Sequence, residues 1–240
     1  MIKKRGRPLR TELDRMRVQV WFRSVVTQSG KNSTELASQF NDAAKGRAFA
    51  PSSLWSKYSR GDASPGHPTY GMGLVERVDA EYPGTGRWYR HALWRALHPD
   101  PLTHVELRSL FEMLPQELRS ALLHPFPGNR FWRKEPVSRI FLEELLSSPS
   151  IDSAACLACI AREAEINQDQ LTHELAFQAL QMVAADLMAD PIMKIASFSL
   201  NSWIARAWEG TIYIVGQKTR RVTYDPKCNR SKLTQHLNRN

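Results

Sequence analysis

Residues 33–61 read STELASQFNDAAKGRAFAPSSLWSKYSRG, and the fold turns on this stretch. Leu36, Ala37 and Phe40 recur at helical spacing, which predicts a short helix capped by Ser33. After the small and basic residues 41–50, Pro51 stands at the first position of a further helix, SSLWSKYSR, and Gly61 stops it. In that helix Leu54, Trp55 and Tyr58 form an apolar stripe, with Ser52, Ser53, Ser56, Lys57 and Arg60 opposite. Two short helices with one apolar side each need a third surface to bury it. Upstream, Thr11 with Asp14 three residues on predicts a capped helix running to about Gln28, with Leu13, Met16, Val20, Trp21 and Val25 inward and Gly30 at its end. Downstream, a helix over 72–80 brings Val75 and Val78 to the same core, and another starts near Arg87 after Pro83-Gly84-Thr85-Gly86.

The stretch resembles a Cro/C1-type helix-turn-helix over residues 11–95. STELASQF is similar to the first helix of the motif. SSLWSKYSRG followed by Ala63-Ser64-Pro65 is similar to the recognition helix and its exit. The resemblance implies that Ser52, Ser53, Ser56, Lys57 and Arg60 face a major groove of double-stranded DNA, where hydroxyls and cations read base edges and phosphates. Residues 41–50 are longer than the usual turn and read as an insertion, whose Lys45 and Arg47 would reach the sugar–phosphate backbone. The arm and the helical remainder also resemble regulators of the TetR type, which compete for the same residues.

The chain opens MIKKRGRPLR. Arg5-Gly6-Arg7-Pro8 resembles the core of an AT-hook, with Lys3, Lys4 and Arg10 as basic flanks. Arginine is drawn to the negative potential of a narrow minor groove, glycine lets the backbone approach its floor, and proline keeps the arm extended. A generic phosphate contact by the same cations is the plainer alternative.

Charge is segregated along the chain. Net charge is +9 over 240 residues. Residues 1–23 hold eight Lys/Arg against two acids, residues 206–240 eight against two, and residues 96–205 eight against fourteen. Basic ends around an acidic middle point to a polyanion. No apolar run approaches the ~20 residues that span a bilayer, so no membrane partner is expected. The basic start runs into Thr11-Glu12-Leu13-Asp14, unlike a secretory leader. Three cysteines are too few for a disulfide framework, and we expect a cytoplasmic protein.

Chemistry-bearing motifs are sparse. Cys156-Leu157-Ala158-Cys159 lacks the second ligand pair of a zinc site and reads as buried helix. His173-Glu174 lacks the second histidine of a metalloprotease helix, and neither a phosphate loop nor a nucleophile elbow is present. No enzyme, metal or cofactor is expected.

Beyond His98-Pro99-Asp100-Pro101, read as a linker, residues 102–208 are apolar-rich and helical. Helices are expected over 103–113, 116–123, 137–146, 152–165, 167–189 and 192–208, with HPFPGNRFWRKEP as a loop. Leu171, Leu175, Ala179, Met182, Ala185 and Met188 form one helical face, for the core or for a homodimer or protein partner. TIYIV and RRVTY read as a small hairpin that brings Lys218, Arg220 and Arg221 together for nucleic-acid contact. The expected architecture is all-α: a basic arm (1–10), a helix-turn-helix bundle (11–98), a helical dimerisation or partner domain with a terminal β-hairpin (102–225), and a basic tail (226–240). The expected function is sequence-specific DNA-binding transcriptional regulation. The alternative is a nucleic-acid-binding adaptor in a larger complex without promoter specificity.

Overall fold

The structure, a computed structural model, describes residues 11–40, 52–65, 73–126, 130–133, 137–208, 212–215 and 218–221. The described residues are mostly helical and fall into two compact units that divide between Arg90 and His91.

The first unit is built around α1 (Glu12–Ser29). The Thr11 side chain accepts from Asp14 N, and Gly30 closes the helix at φ 67°, a left-handed position suited to glycine. Leu13, Met16, Val20, Trp21 and Val25 are buried as their spacing requires, and Val18, Phe22 and Ser24 join them. α2 (Ser33–Phe40) and α3 (Ser52–Arg60) pair with each other, and α3 also lies on α1. The cap of α2 is Asn32 rather than Ser33. Its Oδ1 accepts from Thr34 N and Glu35 N at 2.9 and 3.1 Å, while Glu35 Oε2 accepts from Asn32 N at 2.7 Å. This reciprocal box satisfies three free amides where Ser33 could satisfy one. α4 (Leu74–Glu81) brings Val75 and Val78 into the core. α5 (Thr85–Arg90) starts two residues before Arg87, because Asp79 Oδ1 accepts from both Gly84 N and Gly86 N and folds the turn into its first residues. The core is aromatic. Trp21 lies 6.1 Å from Trp55, 5.7 Å from Tyr58 and 6.0 Å from Tyr89, ring centre to ring centre.

The second unit contains α6 (Ala92–Ala96), α7 (His104–Glu112), α8 (Gln116–Leu122), α9 (Arg139–Ser147), α10 (Ile151–Asn167), α11 (Gln170–Asp186) and α12 (Ser197–Trp208). α10 is its axis, packed against α6, α7 and α11. Ala154, Ala155, Ala158, Ala161 and Ala164 are all buried there, and such short side chains let neighbouring helices approach closely. Gln168, at φ 57°, ends α10, and Asp169 caps α11 through Thr172 N.

The stretch His98–Pro101 is fastened to this unit instead of linking two. Arg162 of α10, buried, donates through Nε to Ala96 O at 2.8 Å and through Nη2 to His98 O. Trp203 Nε1 donates to Leu97 O at 3.2 Å. The division between units lies seven residues earlier, at His91, whose Nδ1 accepts from Leu93 N and whose Nε2 lies 3.0 Å from Asp152 Oδ1.

One helical and one loop expectation in this unit change. α12 begins at Ser197, not 192, because Asp190 Oδ1 accepts from Ile192 N and Met193 N and holds that segment in short 3-10 turns. The stretch HPFPGNRFWRKEP contains two paired strands, β1 (Leu123–Phe126) and β2 (Arg130–Arg133), with Leu123 opposite Arg133. Near the end of the described chain β3 (Ile212–Val215) runs antiparallel to β4 (Lys218–Arg221), with Ile212 opposite Arg221.

Candidate nucleic-acid interface

α3 has a sharply divided surface. Trp55 and Tyr58 are buried, whereas Lys57 and Arg60 are exposed and Ser56 is half-buried. The two aromatic rings meet edge-on at 5.6 Å. Leu54 does not share the inward stripe: it is 41% exposed. At about 100° per residue, Trp55 and Tyr58 straddle the direction of the core and Leu54 falls beyond its edge.

The exit of α3 is fixed by its own backbone. Gly61 N donates to Tyr58 O at 3.0 Å and Asp62 N to Lys57 O at 2.8 Å, the paired bonds of a Schellman motif with glycine at φ 72°. A Cβ on Gly61 would lie 2.8 Å from Arg15 O and 2.9 Å from Arg15 Cα, so α1 and the end of α3 touch main chain to main chain. Gln19 Nε2 donates to Arg60 O at 3.2 Å beside that contact. Arg60 itself is engaged, its Nε 2.9 Å from Asp62 Oδ2. Lys57 projects one turn earlier and is exposed.

Among the residues expected at the interface, Lys57, Arg60 and Ser56 are thus brought together on α3. Ser52 and Ser53 begin the same helix, though their side chains lie outside the described residues. Lys3, Lys4, Arg5, Gly6, Arg7, Pro8 and Arg10, together with Lys45 and Arg47, also lie outside them. Lys218, Arg220 and Arg221 sit on β4, in the second unit, opposite Val215, Tyr213 and Ile212. Gln19 and Gly61 also shape this surface, and nothing in their spacing marks them for it. Gly61 is readable as a helix stop, but its contact with Arg15 spans 46 positions and leaves no local signal.

Two other cations of the first unit, Arg17 and Arg90, are committed to acids. Arg17 meets Asp14 at 3.1 Å and lies over the Tyr89 ring, and Arg90 meets Glu76 at 3.1 Å and Asp79 at 3.0 Å. In the second unit Cys156 and Cys159 are free thiols buried in α10. Burial pushes the Cys159 thiol up to about 12, so it stays protonated and is a poor nucleophile or metal ligand. The α11 face expected for the core or for a partner turns mostly outward. His173, Ala176, Phe177, Leu180, Val183 and Ala184 are buried, whereas Leu171 is 50% exposed and Met188, just past the helix end, 55%. Of the predicted face only Ala179 is buried, with Leu175 and Met182 half-buried, because the buried set recurs along the other side of the same helix. Compared with known proteins, the chain matches no family model, no curated protein and no solved structure.

Proposed function

We propose that the first unit binds double-stranded DNA as the reading head of a sequence-specific transcriptional regulator, with α3 lying in a major groove. The observation that carries this is the division of α3. Its aromatic side is sunk in the Trp21 core, while Lys57 and Arg60 are turned to solvent with half-buried Ser56 at the margin. A helix held from behind and lined in front by hydroxyls and cations has the donor set that guanine, adenine and phosphate oxygens accept. The Schellman exit and the Gln19 bond hold its orientation, which base reading requires. The arm residues Arg5 and Arg7 then serve an adjacent minor groove, and Lys45 and Arg47 the backbone beside it.

A homodimer accompanies this reading. The outward apolar residues Leu171 and Met188 of the second unit offer a surface for a second copy, and two reading heads on one duplex multiply affinity through effective concentration. Selection of bound duplexes from a random pool at two salt concentrations tests the function. Recovery of a common motif is expected. Uniform retention of all sequences, falling together with salt, would favour an adaptor that grips nucleic acid without choosing a site.

A further inference from the structure

α1 is buried along most of its length, yet one stripe of it opens to solvent. Leu13, Met16, Val18, Val20, Trp21, Phe22, Ser24 and Val25 are all buried. Among the rest, one stripe runs at intervals of three and four: Glu12, Arg15, Gln19, Arg23 and Thr27, with Arg15, Arg23 and Thr27 exposed and Glu12 and Gln19 partly so. Glu12 closes this stripe at the start of the helix. Asp14, the other acid of the first turn, is held off it by Arg17.

The stripe borders the exit of α3. Arg15 offers its main chain to Gly61, and Gln19 donates to Arg60 O. Arg15 and Gln19 therefore continue the surface that Lys57 and Arg60 begin. Arg23 extends it to about 12 Å from Arg15 along the helix. A nucleic-acid strand presents one charge per 3.4 Å of axis, so a track of this length passes several phosphates. The intervening Gln19 adds no charge and no acid interrupts the interval from Arg15 to Arg23.

We infer that Arg15 and Arg23 of α1 form a second cationic track that grips the sugar–phosphate backbone of the duplex read by α3. The inference rests on the DNA reading above and assigns a strand-positioning role to a helix that otherwise supplies the core. Arg15 and Arg23 supply affinity without sequence information, whereas Lys57 supplies choice.

The test measures the salt dependence of binding for the full chain on two duplexes of equal length and unrelated sequence. Each phosphate contact contributes about 0.9 to the slope of log affinity against log salt. Arg15→Ala with Arg23→Ala is expected to lower the slope by about 1.8 on both duplexes alike. Between 50 and 200 mM salt the variant then loses about 12-fold less affinity than the parent chain. Arg15→Lys with Arg23→Lys, which keeps the charge, is expected to restore the parental slope. A parental chain that binds neither duplex overturns the DNA reading and this inference with it. A parental chain that binds while the double alanine variant keeps its slope, with an unchanged melting temperature, overturns the α1 track alone.

Discussion

The side-chain amide of Gln19 and the main-chain carbonyl of Arg60 meet at 3.2 Å, joining the middle of α1 to the last residue of α3 across 41 positions. Next to this bond Gly61 brings its own backbone against Arg15. The direction in which α3 leaves the core is therefore set by main-chain contact, with the side-chain bond added to it.

Gly61→Ala is expected to cost more than Gly84→Ala. Both glycines have positive φ, 72° and 90°, which an alanine adopts only under strain of about 1–3 kcal/mol. At Gly84 a Cβ meets nothing within 4 Å, whereas at Gly61 it meets Arg15 main chain at 2.8 Å. Backbone cannot swing aside as a side chain can, so a second penalty falls on Gly61 alone. Urea unfolding followed by tryptophan fluorescence measures both. Equal midpoints for the two variants would mean that α1 and α3 do not touch there.

Lys57→Ala is expected to change which sequences are recovered from a random pool, with a discrimination loss of about 1–3 kcal/mol at one base position. Its exposure predicts an unaltered melting temperature, since the side chain leaves no cavity behind. An unchanged recovered motif would remove Lys57 from base reading.

Acid is expected to weaken the second unit in two steps. Burial, aided by nearby Arg162, lowers the His173 pKa to about 4. The unfolded chain binds that proton near 6.5 and the folded chain only near 4, so stability is complete above pH 6.5 and falls as pH drops between those values. His173→Gln is expected to flatten the denaturation midpoint against pH over that window. A second loss follows at lower pH. The main-chain amide of Thr103, then Arg95 and the Thr103 hydroxyl, hold Glu106 at about 2, so its contribution is present above about 4.5 and is lost toward 2. A wild-type midpoint that is level from pH 7 to 4 would contradict the buried neutral imidazole.

Leu171→Glu with Met188→Glu is expected to convert a dimer to a monomer in sedimentation equilibrium without altering helix content. Both residues are half-exposed, so the charge falls on the surface rather than in the core. A parental chain that already sediments as a monomer would end the homodimer reading.

Much of the first unit was legible from local signals. Trp21, Trp55, Tyr58, Val75 and Val78 sit inward because their spacing follows one turn of helix, and Thr11, Gly30 and Gly61 mark ends by mechanisms that act within a few residues. Competition between neighbours blurred the rest. Ser33 and Asn32 both can cap, and the choice fell to the residue whose partner Glu35 could reach back. On α11 two apolar stripes run side by side, and periodicity cannot say which one meets α10; the alanine-rich face of α10 decides it. The proline-rich 98–101 stretch reads as a joint, but buried Arg162, 64 positions beyond His98, fastens it to the second unit. Contacts of that range, like those of Gln19 and Gly61 across the interface, have no signature in spacing or composition.

The inner and outer faces of α3 answer to different demands. Trp55 and Tyr58 hold the helix in place, and Leu54, Ser56 and Lys57 carry little of that weight. Under the DNA reading proposed above, the outward letters of α3 are thus open to rewriting one at a time while the same scaffold is kept, by descendants of this chain or by a designer.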